Sequence, residues 1–158
     1  MNPVRAVFDC NVFVQAMLSD RGPPFPCFGA VRRGQAELFV REYVLEEVRE
    51  MPAHPDLRRF RHFTDEKVES FLDGLRPLLR MIYVVPEIFR GCRDQDDNHY
   101  IDLAVAAEAS LVVSKDRDLL DLMDPSRIAG REFSLDFPSL RVLDPTAFLA
   151  HLAGIVKS

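Results

Sequence analysis

Four groups of carboxylates occupy positions from which they could do chemistry. Asp9 closes the apolar run 4–8, Glu46 and Glu47 follow the run 37–40, Asp94, Asp96 and Asp97 open a helix-compatible segment, and Asp116 and Asp118 follow the run 111–114. Acids this far apart in sequence, if brought together, repel and raise one another's pKa, so a cluster is costly unless protons or cations neutralise it. All-oxygen ligation, with no His or Cys in the set, points to Mg²⁺ or Mn²⁺ rather than zinc. The chemistry open to carboxylates holding one or two hard cations is chiefly attack of an activated water on a phosphoryl group. On a phosphodiester it would leave a 5′-phosphate and a 3′-hydroxyl without a side-chain nucleophile. The chain offers no convincing triad: His54, His62, His99 and His151 are scattered, and His99 is expected to be exposed. Each acid alone has a plainer use, Asp96 or Asp97 as a helix cap and Glu46 or Glu47 on a solvated helix face. It is the conjunction that argues for a site.

The elements that must position these acids follow from the apolar pattern. Strand-length runs at 4–8, 37–40, 82–85, 111–114 and 139–143 are each separated by helix-compatible sequence, and strand alternating with helix implies a parallel sheet. The runs are apolar on consecutive residues, as expected where helices cover both faces. The fold class is therefore α/β, a three-layer α/β/α arrangement around a parallel sheet of about five strands. Helices are predicted over 11–19, over a short stretch ending near Gly34, over 42–50, from Thr64 toward 79 with a kink or stop at Pro77, over 97–109 and over 145–152. In an open parallel sheet the carboxyl ends of the strands share one edge, and ligand sites form in the crevice there.

Composition narrows the class. With 158 residues, a formal net charge of -5, 47% hydrophobic and 28% charged residues, one domain over 1–158 is expected. No run approaches the length that spans a bilayer and no signal-peptide pattern opens the chain, so the expectation is a soluble, cytoplasmic protein. Cys10, Cys27 and Cys92 are odd in number and lack CxxC spacing, which argues for reduced, mostly buried thiols rather than disulfides or structural zinc.

Four segments then resemble one family. Residues 7–13 (VFDCNVF), 44–48 (VLEEV), 93–98 (RDQDDN) with the alanines of 104–107 behind them, and 112–120 (VVSKDRDLL) look like the motifs of PIN-domain nucleases, in that family's order and spacing. Residues 143–149 resemble its closing strand and helix, and the likeness is closest to VapC-like toxins of bacterial toxin-antitoxin pairs. The resemblance implies a sheet in the order 3-2-1-4-5, Mg²⁺ or Mn²⁺ in an acidic cleft, and a metal-dependent endoribonuclease acting on RNA, with an antitoxin protein as partner. Its metal-binding and catalytic acids would be Asp9, Glu47, Asp97 and Asp116, with Asp118 an accessory ligand and Asn11 and Ser114 polar neighbours. Two positions depart from the pattern: Cys10 replaces a small hydroxyl residue, and Gln95 a proline.

Within the third motif the helix geometry discriminates. At about 100° per residue, Asp97 shares a face with Ile101 and Ala104, whereas Asp102 lies roughly 140° away and should face elsewhere. Asp116 is preferred to Asp118 as nearer the strand end, and Glu47 to Glu46 on the family's pattern. Arginine supplies 17 of the 20 basic residues, and Arg32-Arg33 and Arg58-Arg59-x-Arg61 are candidate phosphate tracks. Three other readings compete with this one. A haloacid-dehalogenase-like phosphatase needs a second Asp where Asn11 stands, and a receiver domain needs an Asp at the end of the third strand. A degenerate, non-catalytic binding module is opposed by the complete acid set. The RNA that is cut, and whether the chain forms a homo-oligomer, are not readable from the sequence.

Overall fold

Strands β1 (Val4–Phe8), β2 (Ala36–Val40), β3 (Leu79–Met81), β4 (Leu111–Val113) and β5 (Arg141–Leu143) form one sheet in the computed structural model, which describes residues 2–157. All pairings are parallel and the order is β3-β2-β1-β4-β5. β1 is central, and its Ala6, Val7 and Phe8 are fully buried, the condition that makes a strand apolar on consecutive residues.

The helices are α1 (Cys10–Leu18), α2 (Pro24–Arg32), α3 (Glu42–Glu50), α4 (Asp65–Leu75), α5 (Asn98–Ala106), α6 (Arg117–Leu120), α7 (Ile128–Asp136) and α8 (Pro145–Lys157). α1 packs on α2, α3 and α4, while α2 also contacts β2 and α8; α5 lies against β1, β2 and β4. Right-handed crossovers place α5 on the opposite face from the β1-to-β3 connections, which completes the α/β/α layering. Phe28 ties the first helical layer to the sheet, with edge-on contacts to Phe8 at 5.2 Å, Phe13 at 5.0 Å and Phe71 at 5.1 Å. Among the described residues no helix is long and apolar enough to cross a membrane.

The third strand is not where the apolar run predicts it. α4 stops at Leu75, a single 3-10 turn through Pro77 follows, and Leu79 is already extended and paired with Leu38. Of the predicted segment 82–85 only Ile82 still touches the sheet, its N–H donating to Val40 O at 2.8 Å; the chain then departs, with Tyr83 87% and Val84 78% exposed. β2 ends at Val40, opposite Met81, so the more β-prone run beyond has no partner strand left to pair with. α5 is shorter than predicted because Glu108 adopts a left-handed backbone (φ 53°), whereas the last helix is longer, reaching Lys157. α7 was not predicted: only Gly130 and Phe133 of its residues are buried, too few to print a helical period.

Candidate active site

β1 ends at Phe8, and the chain turns at once into α1 because Asp9 caps that helix, its carboxylate accepting from Val12 N at 3.0 Å. Asp9 is 2% exposed. Its other oxygen takes a short hydrogen bond from the Ser114 hydroxyl, and Ser114 Oγ in turn accepts from Asp116 N at 2.9 Å. Ser114, fully buried at the end of β4, therefore ties the acids of neighbouring strands together across the point where the sheet order reverses, where α/β sheets form their ligand crevice.

Asp116 caps α6, accepting from Asp118 N at 2.8 Å. Asp118 itself pairs with Arg93 at 2.9 Å, and the same guanidinium reaches Asp121 at 2.6 Å.

Asp97 differs from its neighbours. Asp94, not Asp97, caps the 3-10 turn 95–97, through Asp96 N at 3.0 Å; Asp97 holds the N-cap position of α5 without a capping bond. Its Oδ2 is buried with no hydrogen-bond partner among the described residues. Desolvation, then the facing Asp116 carboxyl, then Asp94 and Asp9 push the Asp97 pKa up to about 8. Burial likewise pushes Asp9 up to about 6, against the lowering effect of the Ser114 hydroxyl and the first N–H groups of α1. Asp9, Asp97 and Asp116 thus share one electrostatic site. Oxygens of Asp94, Asp97 and Asp118 lie within 4.8 Å of one another, a separation that one or two hard cations can bridge. A carboxylate oxygen left bare and a set of donors that are all oxygen are what such an ion requires. Asp94, which the sequence reading did not select, belongs to this group.

Glu47 enters from α3. It is half-buried, while Glu46 is exposed, and the Tyr100 phenol on α5 donates to it at 3.0 Å. The same phenol accepts from Cys10 N at 2.9 Å, so Tyr100 fixes Glu47 relative to the first turn of α1 beside Asp9. His99, expected to be exposed, is instead packed against Tyr100 with ring centroids 3.9 Å apart and edge-on to Tyr43 at 4.8 Å. Its Nε2 lies 3.2 Å from Glu47 Oε1 without hydrogen-bond alignment. The sequence carried no signal for Tyr100 or His99, because an aromatic on an apolar helix reads as core. Asn11 is exposed beside Asp9.

The departures at Cys10 and Gln95 have structural consequences. Cys10, Cys27 and Cys92 are free and buried, and burial is the leading cause that pushes each thiol up to about 12, which leaves little thiolate for redox chemistry. Gln95 replaces the rigidity of a proline with hydrogen bonds to Cys92 O at 2.7 Å and Arg90 O at 3.2 Å. Asp102 does face away from the acids. It is 4% exposed and accepts from Ile88 N at 3.0 Å and Phe89 N at 2.8 Å, anchoring the segment that follows β3.

Residues 5–118 match the family model of the PIN domain. Over 125 residues the chain is 24% identical to an uncharacterized protein of Methanocaldococcus jannaschii, covering 78% of this chain and 78% of that one.

Proposed function

Because the chain belongs to the PIN-domain family, a fold of nuclease type, and gathers its acids at the carboxyl edge of β1 and β4, we propose that it is a metal-dependent endoribonuclease. The single observation that carries this reading is the bare, buried Oδ2 of Asp97 among the acids. In it Asp9, Glu47, Asp97 and Asp116 would hold the cation or cations, with Asp94 and, once released by Arg93, Asp118 as accessory ligands. Bound Mg²⁺ or Mn²⁺ supplies the positive charge that acidifies a water for attack on phosphorus and offsets charge developing on the phosphate oxygens. Ser114 holds Asp9 and Asp116 in mutual register, and Tyr100 does the same for Glu47. Asn11, exposed beside Asp9, is available to the substrate.

The test is incubation of the purified chain with RNAs in Mn²⁺, Mg²⁺ or EDTA. Cleavage that requires a divalent ion and leaves 5′-phosphates supports the reading; intact RNA in all conditions overturns it. The resemblance to VapC-like toxins further supports a toxin role with an antitoxin partner. Expression should arrest growth, and a neighbour-encoded protein should relieve the arrest; growth unaffected by expression counts against the toxin role alone.

A further inference from the structure

A second cleft opens beside the acids, over the carboxyl ends of β2 and β3. Its volume is about 390 Å³, and Arg41, Tyr43, Arg90 and His99 line it, with Phe89 as one wall. Arg41 directly follows β2, Tyr43 stands in the first turn of α3, and Arg90 ends the extended segment anchored by Asp102. His99 belongs to both places, since one side meets Tyr43 at 4.8 Å and its Nε2 lies 3.2 Å from Glu47. A chain bound over Asp9 and Asp97 would therefore meet this cleft next, one strand further along the sheet edge.

The lining suits a nucleobase better than a phosphate. Tyr43 is 50% exposed although it is held by a ring contact on one side, and the Arg41 guanidinium sits 5.7 Å from its ring. Arg41 and Arg90 form no ion pair among the described residues, so both can donate; Glu87 and Asp96 stand at the rim as exposed acceptors. With two cations and two exposed carboxylates the cleft carries no excess of positive charge to draw a phosphate. An aromatic face with donors and acceptors around it is how single strands are held, because every base has a π-face and unpaired edges. The geometry points to a base-binding subsite: Tyr43 stacks an unpaired RNA base flanking the acidic site, with Arg41 against the same ring. This rests on the nuclease reading only for the choice of RNA as ligand.

The test uses the full chain carrying Asp97→Asn, to suppress cutting, in Mn²⁺, with labelled oligo(A), an abasic ribose-phosphate oligomer of equal length, and duplex RNA. Tyr43→Ala should weaken oligo(A) binding by about fivefold or more, the loss expected for one base–aromatic stack. Tyr43→Phe should restore binding, and neither change should move the abasic oligomer. Equal losses for oligo(A) and the abasic oligomer, unchanged oligo(A) binding in Tyr43→Ala, or equal affinity for the duplex overturns the subsite. If the unsubstituted chain cuts no RNA while oligo(A) binding still depends on Tyr43, the nuclease reading fails and the subsite stands.

Discussion

Asp97 and Asp102 sit on consecutive turns at the start of α5, and both are carboxylates withdrawn from water, yet they do opposite things. Asp102 is the more deeply buried, and two backbone N–H groups satisfy it. Asp97 is only half-buried, caps nothing, and faces other acids with one oxygen bare. Burial of a carboxylate is therefore a poor sign of function. What distinguishes the two is whether their lone pairs are already committed to the protein, since a satisfied buried acid is a structural joint and an unsatisfied one needs a ligand or a proton.

The sharpest way to break that comparison is to neutralise each in turn. Asp97→Asn keeps the size but can no longer ionise to hold a cation, so RNA cleavage should fall by orders of magnitude, while relief of repulsion among the acids leaves the melting temperature unchanged or raised. Both N–H groups bond one oxygen, Oδ1, so Asp102→Asn can keep an acceptor there but loses the charge that strengthens the two bonds. It should cost about 1–3 kcal/mol of stability and spare the specific activity of the molecules that remain folded. Cleavage assays and thermal melts on both variants decide it; if Asp102→Asn abolishes cleavage at a temperature where it is folded while Asp97→Asn does not, the two roles must be exchanged.

Metal should separate the same pair by stability alone. Mn²⁺ should raise the melting temperature of the unsubstituted chain and of Asp102→Asn with the logarithm of its excess over the dissociation constant, and should raise that of Asp97→Asn less. Calorimetry in which all three shift equally would place the ion elsewhere.

A smaller effect is expected from pH. Asp9 and Asp97 hold their protons up to about pH 6 and about pH 8 in the folded chain, against an ordinary value of 3.8. The folded state then carries more protons than the unfolded one in that range, so stability falls as pH rises through it. In EDTA the melting temperature should rise as pH drops from about 8 to about 6, less so in Asp97→Asn and in saturating Mn²⁺. A profile with the opposite slope would mean that a different group controls this window.

How much of this the sequence declared depends on what each residue is surrounded by. Strand Val4–Phe8 and helix Glu42–Glu50 coincide with the reading at both ends, because a run whose last three residues are fully buried and that is bounded by a capping Asp, and an amphipathic run bounded by Pro52, leave few alternatives. The layering and strand order were legible too, the order through the family resemblance. β3 was not, since the chain puts its most strand-like run, 82–85, just outside the sheet, and an edge strand imposes a weak pattern. At the site, Asp97 could be separated from Asp102 by helical angle. The further distinction, that Asp102 binds a loop while Asp97 faces other acids, depends on contacts with residues 88 and 89 across a chain reversal. The same holds for His99, whose burial arises between Tyr43 on α3 and its own neighbour Tyr100.

The far end of α5 offers the gentlest test, because there stability can be changed without touching either acid. Glu108 ends the helix in a left-handed conformation (φ 53°), with Ala109 N closing onto Ala104 O at 2.8 Å. Gly34 ends α2 the same way, at φ 76° with Gln35 N on Ala30 O at 3.0 Å. A side chain in this region crowds its own backbone, whereas glycine accepts it freely. Glu108→Gly should therefore stabilise the chain by up to about 1 kcal/mol, and Gly34→Ala should destabilise it by a similar amount. Glu108 lies about 16 Å along the helix from Asp97, and its backbone carbonyl, not its carboxylate, meets Arg5 Nε at 3.2 Å. RNA cleavage by Glu108→Gly should thus match that of the unsubstituted chain while its melting temperature rises. If cleavage changes in step with stability instead, the N-terminal turn of α5 is not held independently of its C-terminal end, and the division of labour between Asp97 and Asp102 would have to be read as a property of the whole helix.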